Sequence, residues 1–243
     1  MSLPKLDIIT HTVSIPSTKK EIRIRPFLVK EQKILLTALT SESAEDVSSA
    51  TKQIVNNCVV TPGFDVDSLE LFDLEYLILQ LRILSVGETT KIRFQARENT
   101  SCKQCSKHRD VEINLKEAGV DMSTMMDKKI QLTSTVGLIM KYPTTKILSK
   151  IESIKDSNDI DDLFKIVWSC VECVYEKDKI TSSKDVTPKE AIEFLESLSA
   201  EQFSKLETFI SSIPKLKQTI TVKCSECEFQ QNFTLVGLND FFV

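Results

Sequence analysis

Glycine is scarce in this chain: five occur among 243 residues, and none falls in a GxGxxG, GxxxxGK[ST] or GxSxG arrangement. Phosphate-cradling loops and the hydrolase nucleophile elbow need glycine where the backbone meets a ligand or turns sharply, so both are excluded. Histidine is scarcer still, with His11 and His108 alone and no HExxH. The carboxylates spread along expected helices without an evident pair, so no acid–base or nucleophilic constellation is visible and no small-molecule substrate is expected. No run approaches the roughly 18 apolar residues of a membrane span. The opening MSLPKLDIITHTV lacks the charged, apolar, then small-residue order of a signal peptide, so a cytoplasmic location away from membranes is expected. An excess of positive charge is also missing. Lys and Arg total 31 against 35 for Asp and Glu, a net charge of −4 that gives no general reason to bind nucleic acid.

What is present is enough apolar residue, 41% of the chain, to bury a core. Asp7 to Leu28 holds two alternating runs, Thr12–Ile15 and Glu21–Arg25, around Pro16-Ser17-Thr18-Lys19, and predicts a hairpin. Helical spacing follows from Glu31 to Leu39, with Ile34 and Leu35 apolar, and again from about Val47 to Asn57. Leu71 to Leu84 is apolar on most faces, as a helix surrounded by other elements must be.

Gly87 ends that helix. Thr90–Arg97 and Val111–Leu115 then alternate as strands around ENTSCKQCSKHRD, placing one CxxC at a hairpin tip. Strands are predicted at 129–132 and 137–142, and helices at 144–155, 160–176, 187–197 and 200–212. Thr187-Pro188-Lys189-Glu190 and Ser199-Ala200-Glu201-Gln202 carry capping boxes, and Pro214 stops the last helix. Thr219–Lys223 alternates into CSEC and Phe229–Leu235 leads out, mirroring the earlier hairpin. Thr40–Ser49 and Lys177–Val186 read as surface loops.

Seven cysteines make a poor disulfide framework, since one is left over and reducing compartments disfavour the bond. Cys102, Cys105, Cys224 and Cys227 form C-x2-C-x118-C-x2-C, two turns that each present two thiolates, and four thiolates complete a tetrahedral zinc site. Free thiols and thioredoxin-like redox chemistry compete with this, but a redox pair belongs at a helix N-terminus after a strand, which neither segment shows. Such a site has no open position for water, so the zinc is structural. Cys170 and Cys173 are expected on one face of the 160–176 helix as buried thiols, and Cys58 as a core residue. His108 is not expected to ligate.

Several segments resemble the family of T-even-type bacteriophage baseplate hub proteins: LPKL, IRIRPFLVKEQKILL, TKQIVNNCVV, DVDSLELFDLEYLILQLRILSVGE, and AEQFSKLETFISSIPKL followed by CSEC. They span almost the whole chain. The resemblance implies a non-enzymatic virion assembly protein, a subunit of the central hub of a contractile tail's baseplate or a factor that builds it, with other hub or tail proteins as partners. It departs from common zinc knuckles in having Ser106 and Glu228 where a glycine often follows the second cysteine. Phe241, Phe242 and Val243 are expected either to dock on a neighbouring subunit or to pack on the protein's own core.

The fold expected is α+β: an N-terminal β-hairpin, central helices, and a split zinc-ribbon-like pair of β-hairpins with a helical insertion. The expected divisions are 1–120, 121–214, and 215–243 packing back on 88–116. Two other functions compete. One is a tail-assembly chaperone for hub or tape-measure proteins that leaves before the virion is finished. The other is a zinc-ribbon nucleic-acid binder using Lys103, Lys107, His108, Arg109 and Lys223, against which the overall acidity argues.

Overall fold

A computed structural model of the chain describes residues 7–40, 43–95, 102, 108–147, 160–224, 226–227 and 229–241. The fold is α+β, with antiparallel sheets and helices segregated along the chain.

Strands β1 (His11–Ser14) and β2 (Glu21–Ile24) form the N-terminal hairpin, and their alternation buries Ile22 and Ile24. Helices α1 (Val29–Thr40) and α2 (Ala44–Cys58) follow. The second begins at Ala44, three residues before the helical spacing starts, because the Ser43 side-chain oxygen accepts from the Asp46 N–H and caps the helix inside the polar stretch Thr40–Ser49. Between hairpin and helices lies a buried ion pair that the sequence did not signal. Arg25 donates to both Glu31 carboxylate oxygens at 3.2 and 2.9 Å, and the Leu28 N–H adds a third bond at 2.9 Å. Burial alone would raise the Glu31 pKa, but the Arg25 hydrogen bond, the Leu28 N–H and the charges of Arg25 and Lys30 together carry it below its ordinary value.

Helix α3 (Leu71–Val86) is central, as its all-round apolar pattern predicts. Leu74, Leu77, Ile78 and Leu81 pack with the N-terminal hairpin and α2. Leu79 and Ile83 face a second core containing Ile92, Ile113, Leu216, Leu235 and Phe241, while Phe72 joins a third. At its first turn, buried Asp73 accepts hydrogen bonds from the Ser17 N–H (3.0 Å) and hydroxyl, tying the β1–β2 turn to the helix.

The second core lies under two hairpins: β3 (Thr89–Gln95) with β4 (His108–Asn114), and β10 (Leu216–Lys223) with β11 (Gln230–Val236). A two-residue strand, β5 (Gly119–Val120), pairs with β10. Phe241 is buried in this core, so of the three C-terminal residues singled out it packs on its own chain; Phe242 and Val243 lie outside the described residues.

The remaining sheet has the order β6 (Lys129–Gln131), β7 (Val136–Met140), β8 (Val171–Glu176), β9 (Lys179–Ser182). Its core includes residues from α4 (Ile160–Ser169), α5 (Pro188–Glu196) and α6 (Ala200–Ser211). The last two start at the two predicted capping boxes, with both reciprocal hydrogen bonds made in each.

Two sequence expectations fail here. The helix predicted over 160–176 stops at Ser169, and Val171–Glu176 is the strand β8, whose β-branched residues suit a buried sheet. The stretch read as a loop from Lys177 holds β9 and a short 3-10 turn, Ser183–Asp185. In the helix expected at 144–155, Thr145–Ile147 make a 3-10 turn and residues 148–155 lie outside the described residues.

Candidate metal centre

Three of the four proposed ligands come together at the tips of the two hairpins. Seven-residue ladders pair β3 with β4 and β10 with β11, so each hairpin is a stiff arm. The arms are pressed together by the Phe94 and Phe233 rings, whose centroids lie 4.8 Å apart. They are also joined at the base by the Gln218 side-chain amide, which donates to the Asn114 carbonyl at 3.0 Å. On the β10–β11 arm the Cys224 N–H donates to the Phe229 carbonyl at 2.9 Å, closing the turn that carries Cys224 and Cys227.

The Sγ atoms of Cys102, Cys224 and Cys227 all lie within 4.8 Å of one another, on half-buried residues, and the Cys102 and Cys224 sulfurs are 3.7 Å apart. This is no disulfide, which needs sulfurs at about 2.05 Å. A tetrahedral ion with metal–sulfur bonds of about 2.3 Å holds its sulfurs about 3.8 Å apart, so the spacing suits three corners of such a site. The three thiols could hold a metal ion.

Cys105 lies outside the described residues, as do Lys103 and Lys107. Glu226, inside the second CxxC, brings Oε2 to 3.8 Å from the Cys102 sulfur, a neighbour the cysteine spacing alone did not suggest. His108 is exposed at the start of β4. The nearby Arg93–Asp110 pair spans the first arm at 3.0 Å, and the Arg93 hydrogen bond holds the Asp110 carboxyl below its usual range.

The other cysteines are of a different kind. Cys170, Cys173 and Cys58 are buried, as the sequence suggested, but Cys170 sits at the junction of α4 and β8 and Cys173 on β8, not on one helical face. Burial pushes the thiols of Cys58 and Cys170 up to about 11.

Fold and site define an α+β protein in which two hairpins, far apart in sequence, share one cluster of metal-competent thiols. The chain belongs to the T4 bacteriophage base plate protein family, whose model matches residues 8–243. It is therefore a phage baseplate protein, and membership of the family implies the virion tail as its location and other tail and baseplate proteins as its partners. No curated protein and no solved structure matches it.

Proposed function

We propose that the chain is a non-enzymatic structural or assembly subunit of the central hub of a contractile tail's baseplate, put together in the host bacterial cytoplasm through contacts with other hub or tail proteins. The family match over residues 8–243 carries this reading. Within it, a structural zinc ion is bound by Cys102, Cys105, Cys224 and Cys227, and the spacing of the first, third and fourth thiols supports that assignment. Closing so long a loop with one ion stabilises the folded chain against its unfolded ensemble. The division into 1–120, an insertion over 121–214 that carries the β6–β9 sheet as well as α4 to α6, and 215–243 returning to 88–116 follows, with the ion as the clasp between the first and last parts.

The test is quantitative mass spectrometry of purified virions and of hub intermediates from infected cells. A hub subunit is present in both at a fixed ratio to the other baseplate proteins. Presence in intermediates with absence from virions would instead identify a tail-assembly chaperone.

A further inference from the structure

Among the described residues strand β6 is an edge of its sheet, and α6 runs beside it with Lys205 and Gln202 reaching back to the Gln131 and Leu132 carbonyls. Between strand and helix lies a groove of about 300 Å³. Its lining includes buried Ile130 and Phe209, with Thr208 on the helix side and Met126 and Lys129 from the strand side. Met125 and Met126 stand exposed at 43% and 45%, and flexible thioethers of this kind adapt to varied apolar guests.

The backbone of β6 is only half protected. Met140 N–H donates to Lys128 O at 2.7 Å and Leu132 N–H to Val136 O at 3.0 Å, so residues 128, 130 and 132 bond to β7 while Lys129 and Gln131 present their backbone groups outward. Of those outward groups, the Lys129 N–H is taken by Asp127 Oδ1 at 2.9 Å and the Gln131 carbonyl by Lys205 Nζ at 3.4 Å. The Lys129 carbonyl and the Gln131 N–H have no partner among the described residues. In a parallel ladder one incoming residue donates to the carbonyl before, and accepts from the N–H after, the residue it faces. The two open groups are that pair, centred on Ile130. An incoming antiparallel strand would need the two groups that Asp127 and Lys205 already cover.

We propose that this groove binds an extended segment of another protein as an added parallel strand, with an apolar side chain opposite Ile130 entering the groove and an adjacent carboxylate meeting Lys129 and Lys205. The apolar lining selects the first feature and the two rim cations the second. Main-chain hydrogen bonds to an edge strand supply affinity, and the pocket supplies specificity. The site stands apart from the cysteine cluster, so it holds whether or not that cluster carries metal.

The test uses the full-length protein to select binders from a random heptapeptide library, followed by fluorescence anisotropy with the enriched peptides. Enriched sequences are expected to pair an apolar residue with a neighbouring Asp or Glu. N-methylation of the apolar residue's amide removes the donor to Lys129 and weakens binding about fivefold, as one net hydrogen bond implies. Lys205→Glu and the groove-filling Thr208→Trp abolish binding, while Glu207→Lys, a charge change on an exposed neighbour, retains it; circular dichroism checks that all three fold. A library without binders, binders lacking the acidic residue, or binders indifferent to N-methylation and to both groove substitutions would overturn the proposal. So would a dimer in sedimentation that Thr208→Trp dissolves, which assigns the groove to a second copy of the chain.

Discussion

The sulfurs of Cys102 and Cys224 lie 3.7 Å apart although 122 positions separate them in the chain. Such proximity between two loop tips must be supported from below, and the Phe94–Phe233 contact and the shared core under both hairpins supply that support. The arms are thus positioned by apolar packing, and an ion would lock them.

Protein purified without chelators and freshly reduced is therefore expected to contain close to one zinc per chain by elemental analysis. Cys224→Ser and Cys105→Ser should each lose the metal, whereas Glu226→Gln should keep it. Metal retained in Cys105→Ser but lost from Glu226→Gln would give the fourth corner to the carboxylate. Removing the ion should cost about 3 kcal/mol or more, roughly 10 °C in melting temperature for a chain of this length.

Glu31 offers a second test, because it is wholly buried and bound to Arg25 through two hydrogen bonds. Glu31→Gln leaves the guanidinium without its counter-charge and should destabilise the protein by about 3–5 kcal/mol in urea unfolding, while an Arg25→Met, Glu31→Leu double replacement should recover most of that loss. The pH dependence has a definite sign. The Glu31 pKa is lowered below the ordinary 4.5, so its stabilising contribution is complete above 4.5 and fades as pH falls through the folded value. The Glu31→Gln protein should show a flatter acid limb.

Buried thiols should be inert. With pKa values pushed up to about 11 by burial, Cys58 and Cys170 are about one part in ten thousand thiolate at pH 7, and they are also out of reach. Iodoacetamide followed by peptide mass mapping should modify them only in denaturant. Rapid modification of Cys170 in the native protein would mean that the α4–β8 junction opens.

Much of the architecture was legible in the residues because local and long-range signals agree there. The capping boxes at Thr187 and Ser199, the all-round apolar α3, and the paired alternating runs around each CxxC all became the elements they suggested. The region where local pattern and structure part is the one without punctuation. No glycine or proline separates Ser169 from Val171, so the helical spacing of Ile166, Cys170 and Cys173 continues across the helix end into β8. The β8–β9 turn uses Lys177 at φ 53°, a left-handed position usually signalled by glycine or asparagine, and its hairpin was hidden. The Arg25–Glu31 pair and the open edge of β6 depend on tertiary placement, which no local pattern encodes.

Gly137 provides the last prediction, and here the glycine serves packing rather than backbone conformation. Lying on β7 between β6 and β8, it is paired with Gln131 on one side and Tyr175 on the other. A Cβ at this position would sit 2.6 Å from the Ile130 carbonyl and closer still to the Tyr175 ring and hydroxyl. Tyr175 cannot simply swing away, because its hydroxyl donates to Gln131 Oε1 at 2.7 Å and Lys129 Nζ lies 5.0 Å from its ring centroid. The backbone carbonyl has even less room to yield. Gly137→Ala should therefore destabilise the protein by about 1–3 kcal/mol through overpacking, read as a lower urea midpoint with an unchanged slope. Truncating the obstructing ring should relieve part of the cost, so Gly137→Ala combined with Tyr175→Ala should be more stable than the sum of the two single losses. Strict additivity would show that the clash is with the Ile130 carbonyl alone.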